Sequence, residues 1–210
     1  MPTIDVLEVP SPTHRVKLWW VPDAISFSRG GLALIDAWLL WRSFDTGEGW
    51  PIVTALTLTL MLTDWVDGLA ARILNACSEF GAMLDTVMDK FAVALLLLII
   101  AIKGAISPNV WINWGVFAAI VGREVLIIIG RPLLKRYMDI VMSVQQHGRF
   151  KMWVQGAAIV AVPLSHWFLV GTLPWGEVVP GLFWAAAATT LQSLYSYAKD
   201  VSARLKQLAS

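Results

Sequence analysis

Six mostly apolar stretches recur along the chain, near residues 23–42, 51–73, 81–103, 110–131, 152–171 and 178–198. Each is about long enough to cross a bilayer as a helix, which takes roughly 20 residues. The breaks between them carry turn chemistry: Asp45-Thr46-Gly47-Glu48-Gly49 before Pro51, Ser107-Pro108-Asn109, and Gly171-Thr172-Leu173-Pro174. The pattern predicts an all-α integral membrane protein of six transmembrane helices. It divides into a cytoplasmic segment 1–22, a helical domain 23–200 and a cytoplasmic tail 201–210. Residues 11–22, with Arg15, Lys17, Trp19 and Trp20, read either as a juxtamembrane amphipathic helix or as an extended tail. The first eighteen residues are polar and proline-containing and predict no cleavable signal peptide.

Charge placement orients this plan. Six spans put both termini on one side, together with Arg15, Lys17, Arg72, Arg131, Lys135, Arg136, Arg149, Lys151, Lys199, Arg204 and Lys206; the other side holds little beyond Arg42 and Lys103. The positive-inside rule makes the basic side, and both termini, cytoplasmic. Trp38, Trp41, Trp50, Trp111, Trp114, Trp167 and Trp175 fall near the outer ends, as an interfacial aromatic belt would. At 57% hydrophobic and 15% charged, the chain is far more apolar than an ordinary soluble domain. Its net charge of +1 gives no reason to expect a nucleic-acid partner. The single cysteine, Cys77, excludes an internal disulfide.

Four carboxylates interrupt this apolar background. The run reads Asp64-x-x-Asp67-Gly68-x-x-Ala71-Arg72, eight residues, then Gly81-x-x-x-Asp85-x-x-x-Asp89. On a helix Asp64, Asp67, Gly68 and Ala71 share a face, and Asp85 stacks over Asp89. A straight helix would hold Asp67 and Asp85 roughly 27 Å apart. A turn at the polar stretch Asn75–Glu79 would instead fold the two halves together and let the acids converge. Ionised acids in apolar sequence are costly and need partners, water or metal ions. Like charges confined together also raise one another's proton affinity. An all-oxygen donor set suits magnesium or manganese, and two such ions suit phosphoryl-type transfer. The plainer reading is loop-proximal ion pairing with Arg72 and Lys90; interleaving with Gly68, Ala71 and Gly81 argues against it.

This run resembles the signature of the CDP-alcohol phosphotransferase family, with every fixed position present and no insertion. The resemblance implies a six-helix membrane enzyme that displaces CMP from a CDP-linked donor by attack of an alcohol. By similarity, Asp64, Asp67 and Asp85 hold a first Mg2+ or Mn2+ ion. Asp85 and Asp89 serve a second, and Asp89 is also the general base. Gly68, Arg72, Ser78 and Gly81 are implied to line the CDP-lipid site. Pro22-Asp23-Ala24-Ile25-Ser26-Phe27-Ser28-Arg29 resembles the family's Pro-Asn-x-x-Thr-x-x-Arg element, with Asp23 for asparagine and Ser26 for threonine.

Further elements are similar to the phosphatidylglycerophosphate synthase branch: Lys90, Arg123-Glu124, Gly148-Arg149-Phe150-Lys151 with Gln155, and Thr189-x-x-x-Ser193-x-x-x-Tyr197. In that branch the third element usually reads Gly-Lys-x-Lys-Thr; here Arg149 and Met152 depart from it. Arg123, Arg131, Arg149 and Lys151 are the candidate donors to an acceptor phosphate, since arginine can grip phosphate with two parallel hydrogen bonds. The expected reaction joins CDP-diacylglycerol and glycerol 3-phosphate into phosphatidylglycerophosphate and CMP. It would proceed at the cytoplasmic face of a bacterial inner membrane, in a homodimer surrounded by membrane lipid. Inositol phosphate, phosphatidylglycerol, serine or choline are alternative acceptors. A divalent-cation transporter is the competing class, disfavoured because the acids gather near one face.

Overall fold

The computed structural model describes the backbone of residues 20–74, 79–138, 147–167 and 174–209, and the side chains of 28–63, 87–88, 90–130, 151–167 and 174–204. Six helices account for nearly all of it: α1 (Trp20–Thr46), α2 (Trp50–Leu74), α3 (Glu79–Ile102), α4 (Val110–Met138), α5 (His147–Trp167) and α6 (Trp175–Ala209). As far as it is described, each apolar stretch maps onto one helix, and no strand occurs among the described residues. Helix α6 runs on to Ala209, so the segment set apart as a tail continues the last helix. Of the amino-terminal segment, Trp20, Val21 and Pro22 already belong to α1; the rest lies outside the described residues.

Two connections show how local chemistry ends one helix and starts the next. Gly47 and Gly49 both take positive φ, 74° and 83°, a backbone region other residues enter at a cost. That lets α2 begin at Trp50 after three residues. Between α3 and α4, the buried Asn113 side chain accepts from the Ile106 and Ser107 amides (3.2 and 3.1 Å) and donates to the Ser107 and Asn109 carbonyls (2.7 and 3.1 Å). Asn109 in turn caps α4, its Oδ1 accepting from the Trp111 amide at 3.0 Å.

The helices form a closed ring in the order α1, α2, α5, α6, α4, α3, with α3 and α5 also touching. Cross-helix contacts set the directions. Asp36 meets Thr57 and Phe44 meets Trp50, so α1 and α2 are antiparallel. Gly30 lies against Met88 and Asp45 pairs with Lys103, so α1 and α3 are parallel. Met61 meets Gly156 and Trp50 stacks on His166, which makes α5 antiparallel to α2. Arg123 bonds Ser193 and Gly130 faces Tyr197, which makes α6 parallel to α4. Lys90 reaches back to Glu124 across the tight α3–α4 connection, making those two antiparallel. The bundle thus alternates up and down, and Trp20 and Ala209 lie at the same end.

Its polarity is that of a bundle immersed in lipid. The outer surface carries large apolar side chains on helix after helix, among them Ile52, Leu62, Leu126, Ile129 and Trp184, each more than half exposed. Soluble monomers rarely present so continuous an apolar exterior. The interior buries Phe183, Leu96 and Ile100 together with Asp36, Thr54, Thr57, Asn113, Gln155 and Thr190.

The expectation of six equivalent spans is met only in part. Among the described residues one helix, over Val110–Gly130, is long and apolar enough to cross a membrane by itself; Trp50–Thr63 and Lys90–Ile102 are shorter apolar runs. The two shorter runs end at Thr63 and begin at Lys90, where the described side chains of α2 end and those of α3 resume.

Candidate active site

The predicted site residues gather at the end of the bundle where the described chain begins and finishes. Asp64, Asp67, Gly68 and Arg72 occupy the last turns of α2, while Gly81, Asp85 and Asp89 occupy the first turns of α3. Asp23 and Ser26 lie in the first turns of α1, Arg131 in the last part of α4, and Arg149 in the first turn of α5. The side chains of all these residues, and the whole of Ser78, lie outside the described part. Counting along the helices from the contacts above brings the backbone of Asp64 level with Arg29, and that of Asp89 level with Gly31. One layer of the bundle therefore contains the first and last aspartates of the signature.

That layer has a described charged centre. Glu124 on α4 is 8% exposed, and three cations converge on it. Lys90 Nζ of α3 lies 2.7 Å from Oε2, Arg123 Nη1 of α4 donates to Oε1 at 3.0 Å, and Lys151 Nζ of α5 also donates to Oε1. Arg123 reaches on to α6, donating from Nη2 to Ser193 Oγ at 2.7 Å. Lys151 is 2% exposed. The Glu124 carboxylate thus ties α3, α4 and α5 together, and Arg123 extends the link to α6. Beside it, Gln155 Nε2 of α5 donates to Thr190 Oγ1 of α6 at 2.9 Å. The Nε atom of Arg123 and the hydroxyl of Tyr197 are buried without a hydrogen-bond partner.

A cavity of about 270 Å³ opens onto this centre. Arg29, Lys90, Glu124 and Gln155 form its polar wall; Leu60, Phe91, Ile128 and Met152 contribute to a far larger apolar one. A mostly apolar chamber with a few charged and polar groups in its wall can take an amphiphile.

Two of the expected acceptor-phosphate residues, Arg123 and Lys151, are therefore brought together by the structure. Arg131 and Arg149 sit on the right helices at the same end, with side chains outside the described part. Lys90 pairs with Glu124 rather than standing as a counter-ion for the aspartates alone. Glu124 itself was visible in sequence only as half of an Arg-Glu pair inside an apolar span, and its link to two further helices was not. No group of three or more His, Cys, Asp or Glu that could hold a metal is found among the described residues, which do not include the side chains of the four aspartates.

The family model described as CDP-alcohol phosphatidyltransferase matches residues 19–192, a stretch that includes both the aspartate run and this cation cluster. The chain belongs to that family. Among similar proteins, the CDP-diacylglycerol--glycerol-3-phosphate 3-phosphatidyltransferase of Bacillus subtilis is 28% identical over 188 residues, 84% of this chain and 92% of its own length. A second protein of that name, numbered 2, from Arabidopsis thaliana is 32% identical over 122 residues, 56% of this chain. The chain spans about half (52%) of that plant relative's length. A CDP-diacylglycerol--inositol 3-phosphatidyltransferase from Drosophila melanogaster is 39% identical over 88 residues, 42% of this chain and 37% of its own length.

Proposed function

We propose that this protein transfers the phosphatidyl group of CDP-diacylglycerol to glycerol 3-phosphate, giving phosphatidylglycerophosphate and CMP. The observation that carries this reading is the intact Asp64-to-Asp89 signature at the end of the bundle where Lys90, Arg123 and Lys151 converge. The glycerophosphate transferases among the relatives support the choice of acceptor. All six helices would span the bilayer, with both termini and the site at the cytoplasmic face of a bacterial inner membrane, in a homodimer.

The chemistry follows from charge. Four carboxylates at one end of the bundle repel unless cations intervene, and an all-oxygen donor set fits two Mg2+ or Mn2+ ions. Asp64, Asp67 and Asp85 would hold one and Asp85 with Asp89 the other. Bound there, the ions would neutralise the donor's diphosphate and stabilise the oxygens that attack and leave. Asp89 takes the proton from the acceptor hydroxyl as its oxygen bonds to the lipid-side phosphorus. The phosphorus–oxygen bond to CMP then breaks, and CMP leaves with its own phosphate. Gly68 permits close backbone approach to the nucleotide, and Arg72 balances diphosphate charge. Asp23, Ser26, Ser78 and Gly81 would line the nucleotide side, and Arg123, Arg131, Arg149 and Lys151 the acceptor side.

The same chemistry with another alcohol is the second reading, favoured by the inositol-transferring relative. Purified protein with magnesium and labelled CDP-diacylglycerol, offered glycerol 3-phosphate, inositol, inositol phosphate, phosphatidylglycerol, serine and choline in turn, decides between them. Labelled phosphatidylglycerophosphate, with CMP released, from glycerol 3-phosphate and from no other alcohol is the expected result. Turnover with a different alcohol only would move the protein to that branch, and none with any alcohol would overturn the enzymatic reading.

A further inference from the structure

We infer that Glu124 is a positioning residue for the acceptor's phosphate: it holds Lys90, Arg123 and Lys151 as a three-pronged cationic seat for a phosphate monoester dianion. The inference rests on the proposed reading of the site and adds to it two residues, Glu124 and Lys90, and a division of labour. Among the described side chains, three cations around one carboxylate leave two positive charges in surplus; Glu124 and Lys151 are almost wholly withdrawn from solvent and Lys90 is partly exposed. Uncompensated buried charge is strongly unfavourable, so the cluster calls for a doubly negative ligand.

Donor capacity points the same way. Lys151 gives one N–H to Glu124 Oε1 and Lys90 meets Oε2 as an ion pair, leaving their other N–H groups uncommitted to it, and Arg123 Nε is buried without a partner. Lys90 and Glu124 also line the cavity, so a ligand entering it meets the cluster directly. Glu124 itself repels a phosphate, so its value must lie in where it puts the cations. Its grip on Lys90 also fixes the rotation of α3 one residue from Asp89. The charge seat and the proposed base are thereby held in one frame.

The test uses the full chain in detergent, with wild type, Glu124→Gln, Glu124→Asp and Lys90→Gln. In the CMP-release assay, Glu124→Gln should raise KM for glycerol 3-phosphate by about tenfold or more while KM for CDP-diacylglycerol stays within about twofold, and Glu124→Asp should recover much of the loss. A purely structural role would lower the unfolding temperature and leave both KM values in place; that outcome overturns the inference while the proposed reaction stands. Thermal shift with inorganic phosphate gives a readout independent of turnover. Phosphate should stabilise wild type and Glu124→Asp but not Glu124→Gln, since a ligand that binds only the folded state raises its stability. Stabilisation undiminished in Glu124→Gln, or absent from wild type, overturns the inference even if the enzyme is inactive with every alcohol. Should Glu124→Gln fail to fold, Lys90→Gln carries the test. It should need about fivefold more phosphate for the same shift, and an unchanged requirement overturns the seat.

Discussion

Asp89 and Asp36 are both acids inside apolar helices, yet they call for opposite experiments. For Asp89 the proposal is chemical. Asp89→Asn should cut the rate of CMP release by about 10²-fold or more while CDP-diacylglycerol still binds, because general-base catalysis typically contributes 10²–10⁴-fold; turnover and donor binding measured on one preparation check this. Near-native rate in that variant would exclude Asp89 as the base. Asp36 is structural. It is fully buried, with Oδ2 accepting from Thr57 Oγ1 at 2.8 Å and Oδ1 left without a partner. Thr57→Val should therefore destabilise the fold by about 1–3 kcal/mol, since it strands a buried polar group. Replacing both residues together, Asp36→Leu with Thr57→Val, should cost less than Thr57→Val alone. Thermal unfolding of the single and double variants in detergent measures the difference, and strict additivity would show that the pair is not coupled.

At the scale of helices, packing is closest where α1 meets α3. A Cβ added at Gly30 would lie 3.1 Å from Met88 Sδ, and one at Gly156 would lie 3.2 Å from Met61 Sδ. Gly30→Ala asks only that a flexible thioether move. Gly30→Leu drives α1 away from α3 next to Asp89 and should cost about 1–3 kcal/mol and most of the activity; unfolding temperature and CMP release in the two variants test this, and a fully active Gly30→Leu would refute it. This is also the scale at which the sequence spoke most clearly. The six helices were legible because each apolar run is bounded by glycine, proline or charged residues, and the signature spacing placed its aspartates on two successive helices. The partners of Glu124 were not legible. Lys90, Glu124 and Lys151 are separated by 34 and 27 positions, and nothing local encodes how α3, α4 and α5 are rotated about their axes. The stacking of His166 on Trp50, ring centroids 4.1 Å apart, with Phe44 edge-on to both, was hidden for the same reason.

Across the whole molecule, the two ends of the ring treat charge differently. At the end away from Trp20 and Ala209 the described basic groups are settled locally: Arg42 lies over Trp38, its guanidinium carbon 5.6 Å from the ring centroid, while Lys103 lies 4.0 Å over Trp41 and pairs with Asp45. At the other end charge is shared between helices through Glu124. The adjacent Arg123 and Glu124 are a self-neutral couple on the helix that, among the described residues, is long and apolar enough to cross a membrane, which bears on biogenesis. An isolated charge at a helix centre costs about 2.5–3.5 kcal/mol to insert, so α4 can enter the bilayer carrying its own counter-ion and wait there. Lys151 joins the couple at the same Oε1 atom only once α5 has been made. A chain cut before α5 should therefore insert α4 normally, as glycosylation mapping of the α3–α4 connection would show, yet expose Glu124 to chemical carboxyl modification that the complete chain resists. Seen this way, Glu124 is a latch between two stages of synthesis, closed by the arrival of a helix that the ribosome delivers late.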